Sequence, residues 1–152
     1  MEMEELTKFV KKFVDLNKMN FPFEDVQIIG KDYYLLNPKT KKLIEGVKFP
    51  PFSSGLPLAR KSKLFEPSMA LLQMLAPFTN KKVKVDSKSA WLFACGRDLF
   101  ENSIVERFGD DSFVIVLNNK DEVLGYAVKT KNKGKILYKN VIDIGDYLRR
   151  EK

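Results

Sequence analysis

Basic side chains supply most of the chemistry this sequence can offer. Lys129, Lys131, Lys133 and Lys135 alternate through the run from 129 to 135, and no acidic residue lies between Glu122 and Asp143. Ammonium groups at a strand period of two would line one face of a hairpin arm and meet a run of phosphates there. They would equally make a solvated strand edge that lysines guard against aggregation, and the two readings are compatible. Arg149, Arg150 and Lys152 close the chain. A guanidinium fork grips a phosphate in bidentate fashion and stacks on a base, and consecutive helical positions about 100° apart can reach a backbone curving past a helix end. Basic residues in a last turn also complement the helix dipole, so the residues alone leave both roles open.

Other chemistry is sparse. With no histidine and a single cysteine, Cys95, the chain cannot build a His/Cys zinc site, a Ser-His-Asp triad or a Cys-His nucleophile pair. Carboxylate-bound magnesium stays open, and Asp143 with Asp146 is the nearest approach to a carboxylate pair, although a helix cap and dipole partner is the more economical account. Cys95 follows the apolar run Trp91-Leu92-Phe93-Ala94, which predicts a buried small side chain, and no intrachain disulfide can form. Trp91 could stack a base, but its apolar neighbours predict core burial. We expect no metal, no cofactor and no catalysis.

A formal net charge of +7 and a pI near 9.4 favour acidic partners, nucleic acid and anionic membrane surfaces among them. Glu2, Glu4 and Glu5 open the chain where a secretory signal would be basic, and no apolar run reaches the roughly 18–20 residues of a membrane helix. A soluble, cytoplasmic protein that avoids membranes and acts as a monomer is expected.

The elements that must carry these residues follow from periodicity. Leu6, Phe9, Val10, Phe13 and Val14 recur at spacings of three and four, giving a first helix with a lysine-rich outer face. Val26–Ile29, Tyr33–Leu36 and Lys42–Val47 read as strands of an antiparallel meander packed on it, separated by turns at 30–32 and 37–40. Residues 50–63, with three prolines, Gly55 and the basic group Arg60, Lys61 and Lys63, read as a loop. A second helix is expected from about Pro67 to Leu75, stopped by Pro77. The best boundary falls at residues 77–80, dividing the chain into an N-terminal α/β domain (1–78) and a second domain (79–152). Up to residue 80 there are 12 basic and 9 acidic residues, and beyond it 15 and 11, so both halves are positive.

In the second half Val83 and Val85 alternate with Lys82 and Lys84 as in a half-buried strand. Asp86 or Ser87 then caps a helix through Ala94, and Gly96 stands where a left-handed helix stop belongs. Phe113–Leu117 and Glu122–Thr130 make a hairpin across residues 118–121, Ile136–Tyr138 adds a strand, and Asp143 can cap a short last helix. The fold class is therefore α+β: an N-terminal antiparallel sheet with helices, then a mixed β-barrel.

This order, with Val83–Val85, Ala90–Asp98 and Leu124–Val128 as its motifs, resembles a PUA domain, the small RNA-binding barrel of pseudouridine synthases and archaeosine transglycosylases. Including the flanks Met69–Phe78 and 141–151, the chain resembles the Nip-seven family of ribosome assembly factors, closely from about residue 66 and loosely before it. Two features depart from the PUA pattern. Only Gly125 of the two return-strand glycines is present, the second position being Ala127, and the approach to the hairpin is contracted to residues 109–112.

The resemblance implies a non-catalytic factor that binds U-rich or AU-rich RNA and acts on large-subunit pre-ribosomal RNA. By it, RNA contact falls to Arg149 and Arg150 with Lys152 as an extension, and Gly96 and Arg97 join by general PUA analogy. Ribosome assembly or RNA-processing proteins would meet the N-terminal domain, and the eukaryotic relatives would be nucleolar. A protein adaptor in ribosome assembly and an RNA-recognition module serving an RNA-modifying enzyme are the alternatives.

Overall fold

The computed structural model describes residues 3–37, 55–109 and 111–145, which fall into two compact units, Met1–Leu75 and Ala76–Lys152.

In the first unit, helix α1 (Glu4–Phe13) buries Leu6, Phe9, Val10 and Phe13 on the face their spacing predicts, and Glu4 and Glu5 occupy its first turn, where the dipole favours acids. Strands β1 (Val26–Ile29), β2 (Asp32–Leu35), β3 (Leu56–Lys61) and β4 (Phe65–Pro67) form an antiparallel sheet in that order. Gly30, at φ +64°, turns β1 directly into β2, with Ile29 opposite Asp32. The Phe65 ring joins helix to sheet, with its centroid 5.2 Å from that of Phe9 and 5.8 Å from that of Tyr33. Tilted and edge contacts at these separations add about 0.5–1.5 kcal/mol per pair to the area they bury.

Two expectations for this unit are corrected. The described part of the supposed loop at 50–63 contains the central strand β3, which pairs with both β2 and β4. Pro57 is tolerated there beside a register shift in the β2–β3 ladder, so tertiary pairing overrides the local breakers. Arg60, read as part of a basic cluster, holds Asp32 at 3.1 Å across that ladder. Pro67 ends β4 instead of opening a helix; helix α2 (Met69–Leu75) starts after Ser68, whose Oγ accepts from the Leu71 N–H at 3.1 Å. The strand expected at 42–47 lies outside the described residues.

The second unit is a curled, mixed half-barrel. Its strands β5 (Lys82–Val85), β6 (Leu99–Phe100), β7 (Ile104–Arg107), β8 (Phe113–Leu117), β9 (Val123–Asn132) and β10 (Lys135–Asp143) form one sheet in the order β6-β10-β9-β8-β5-β7. The β5–β8 pair is parallel and its other pairs are antiparallel. Val83 and Val85 face inward with Val114, Val116, Leu124, Ala127 and Tyr138. Helix α3 (Ser87–Ala94) lies over this core and inserts Phe93. Asp86 caps it by accepting from the Ser89 N–H at 2.7 Å. At its end the Gly96 and Arg97 N–H groups bond the carbonyls of Phe93 and Leu92 (2.9 and 3.1 Å), a stop that needs the positive φ of Gly96, +94°.

Helix α3 also overturns two burial expectations. Ser89 and Phe93 are its buried residues, and Trp91, two positions from each and so about 160° around the helix, is 69% exposed. Cys95 is exposed as well. A two-turn helix laid on one side of a half-barrel buries a single narrow stripe, and overall apolarity does not reveal which residues fall outside it.

Candidate nucleic-acid interface

The lysines of the 129–135 run are placed by one tight hairpin. Strands β9 and β10 pair with Asn132 opposite Lys135, Lys131 opposite Ile136 and Lys129 opposite Tyr138. The two residues between them, Lys133 and Gly134, both have positive φ, +52° and +80°, as a two-residue turn matching strand twist requires. The expectation of one lysine-lined face therefore fails. Lys129 and Lys131 share the inward face with Tyr138 and Ile136, Lys135 lies on the opposite face with Asn132, and Lys133 occupies the tip. The turn inserts two residues between the strands, so strand alternation does not carry across it.

Lys129 is further set apart by its partners. Its Nζ donates to Asp111 at 3.1 Å, and the other carboxylate oxygen of Asp111 receives the Tyr138 hydroxyl at 2.5 Å and the Arg107 Nε–H at 3.4 Å. Arg107 also approaches Glu101 at 3.6 Å. Side chains from β7, β9 and β10 thus meet on Asp111 ahead of β8. Burial alone would push the Asp111 carboxyl up, but hydrogen bonds from Tyr138 and Lys129 and the attraction of Lys129 outweigh it and hold the group below its usual value. Burial, then the hydrogen bond to Asp111, pushes the Tyr138 hydroxyl up. With its ammonium anchored in this way, Lys129 serves the barrel before any ligand.

Lys131, Lys133 and Lys135 surround the tip from different sides, all exposed and, among the described residues, without ion pairs. The Gly96–Arg97 turn lies elsewhere on β10. Asn140 Nδ2 donates to the carbonyls of Phe93 (3.0 Å) and Arg97 (3.3 Å), and the Asn140 N–H donates to Asp98 Oδ1 at 2.9 Å. The Arg97 side chain projects from this pinned turn into solvent. Five residues of extended strand separate Asn140 from Lys135, about 17 Å.

The short edge strand β6 spans that interval. Leu99 pairs with Tyr138 and Phe100 with Leu137, so the chain runs from Arg97 along β10 toward the hairpin tip. Phe100 is 56% exposed on this edge. Beside it Phe100, Glu101, Asn102, Gly134, Lys135 and Ile136 line an open cavity of about 620 Å³. The structure thus connects Gly96–Arg97 to the tip lysines through a residue the sequence did not single out. Phe100 follows the apolar Leu99 and precedes acidic Glu101, a context without a binding signature. Its role depends on β6 being an edge. Arg149, Arg150 and Lys152 lie outside the described residues. Asp143 is buried where Ile144 and Gly145 begin a helical turn.

Among the described residues no group of three His, Cys, Asp or Glu side chains is placed to hold a metal, and no helix is long and apolar enough to cross a membrane. The half-barrel with its capping helix defines a PUA-type fold, a fold known for RNA binding. Residues 81–152 match the family model described as the UPF0113 PUA domain. A UPF0113 protein of Archaeoglobus fulgidus is 29% identical over 67% of this chain, and the chain spans 64% of that relative's length. A solved structure described as a conserved PUA domain protein from Thermoplasma acidophilum superposes with a TM-score of 0.57, covering 99% of this chain and 96% of its own; at 15% identity this is a likeness of fold.

Proposed function

We propose that this protein is a non-catalytic RNA-binding factor of ribosome assembly, acting in the cytoplasm as a monomer on large-subunit pre-ribosomal RNA. Residues 79–152 form the RNA-binding domain, and residues 1–78 form a domain that meets assembly proteins. The observation that carries this reading is the PUA-type half-barrel whose β6 edge links the Arg97 turn to Lys131, Lys133 and Lys135, in a chain of net charge +7. The sequence resemblance to the Nip-seven family supplies the ribosomal context and the preference for U-rich or AU-rich strands. By the same resemblance Arg149, Arg150 and Lys152 add RNA contacts, and phosphate contacts dominate affinity.

Titration of single-stranded RNA at increasing salt tests the electrostatic part. Neutralising about three to five phosphates gives a log–log slope of roughly −2 to −3.5, and an affinity indifferent to salt would sink the proposal. Crosslinking to cellular RNA tests the target. Large-subunit ribosomal fragments that disappear when Arg149 and Arg150 are both replaced by alanine are expected. A transfer-RNA profile would instead indicate service to a modification enzyme.

A further inference from the structure

We propose that the cavity between β6 and the β9–β10 hairpin tip seats an unpaired base of single-stranded RNA, stacked on Phe100, while Lys133 and Lys135 hold the flanking phosphates. This rests on the RNA-binding reading above and gives it a specific subsite.

Size, chemistry and charge converge on this occupant. The hollow of about 620 Å³ is open to solvent and admits a nucleotide on one side without enclosing it. Its lining combines an exposed aromatic ring, the Asn102 amide with both donors and an acceptor, the half-buried apolar Ile136 and the ammonium of Lys135. A ring at an exposed edge offers a π-face to a base of any identity, as stacking platforms in single-strand binders do. A base within a duplex has both faces covered by its neighbours, so this site selects unpaired nucleotides.

The backbone completes the site. Gly134 lines the cavity at φ +80°, and a Cβ placed on it would meet nothing within 4 Å, so the tip leaves its rim open. Glu101 is the acidic member of the lining. Its carboxylate lies 3.6 Å from the Arg107 guanidinium, which tempers repulsion of a phosphate backbone. Lys135 in the lining and Lys133 in the adjoining turn make this rim positive, which favours a polyanion over an apolar peptide.

The test uses the intact protein with a short oligouridylate and an otherwise identical oligomer carrying 2-aminopurine at one position. Phe100→Ala is expected to weaken binding about 5- to 150-fold, leave the salt slope unchanged and abolish the change in 2-aminopurine fluorescence that binding to the unaltered protein produces. Phe100→Tyr keeps the ring and should bind normally. Phe100→Leu preserves apolar bulk without a π-face, so it controls for packing and should bind as weakly as alanine. Replacing Lys133 and Lys135 with alanine should make the salt slope shallower by about 1.4, at 0.7 per phosphate. Full binding by both Phe100→Ala and Phe100→Leu overturns the subsite while leaving RNA binding by the rest of the domain intact. Full binding by Phe100→Leu alone overturns stacking, and failure of the unaltered protein to bind RNA removes both proposals.

Discussion

Asp111 shows how much of this molecule depends on a single charge. It gathers Tyr138, Lys129 and Arg107 onto one carboxylate whose side chain is only 18% exposed. Its folded pKa lies below its ordinary 3.8, so its contribution to stability is fully present above that value and is lost as pH falls through the folded pKa. Tyr138 behaves in the opposite sense: its folded pKa lies above 10.0, so its share is present below pH 10.0 and is lost on further rise. Asp111→Asn should destabilise the protein by about 1–3 kcal/mol at neutral pH, since bonds to a charged group are the strong ones. Urea unfolding at neutral pH and below pH 3.8 checks this, because the gap between variant and parent should narrow in acid.

At the scale of elements, the β9–β10 pair depends on a glycine and α3 leaves a tryptophan in solvent. A Cβ on Gly125 would collide with the backbone carbonyl oxygen of Ile142 and crowd Asp143 Cα. The obstacle is backbone, which cannot swing aside as a long side chain can. Gly125→Ala should therefore cost at least about 2 kcal/mol, read as a lower denaturation midpoint with an unchanged slope. The Ala127 position faces the core, where its methyl group is fully buried. Trp91, the lone tryptophan, is expected to be readily quenched by acrylamide in the native state. Trp91→Ala should change stability by no more than about 0.5 kcal/mol, as exposed substitutions usually do. Strong protection of the indole from quencher would contradict this placement of α3.

For the whole molecule, the described basic residues fall into distinct jobs. Lys84 holds Asp121 at 2.7 Å and Lys129 holds Asp111, so part of the positive charge is committed to the fold. Arg97, Lys131, Lys133 and Lys135 carry no ion pair among the described residues and lie toward the two ends of the β6 edge. Net charge therefore overstates what is available to a polyanion. The salt slope for RNA should follow this smaller set together with any contribution from the tail, and Lys129→Ala should register mainly as lost stability.

Strands β5, β8, β9 and β10 and helix α3 of the half-barrel were legible in the sequence because their signals are local, whereas the short strands β6 and β7 were not. Alternation fixes β5, Asp86 and Gly96 bracket α3, and the apolar runs on either side of residues 118–121 mark a hairpin. The amphipathic spacing of α1 likewise suffices to identify its buried face. What remained hidden depends on contacts between distant residues. Strand β3 emerges from a proline-rich stretch because β2 and β4 pair with it, and Trp91 is exposed because only one side of α3 meets a sheet. The period-two lysine pattern breaks at the two-residue turn, and Lys129 is claimed by a carboxylate 18 positions away. The sequence by itself determined the class of fold and the sign of the charge, which periodicity, capping and composition control. Only the tertiary structure decided which cations remain available and that Phe100 stands beside them, because pairing at an edge and long-range ion contacts belong to the folded chain.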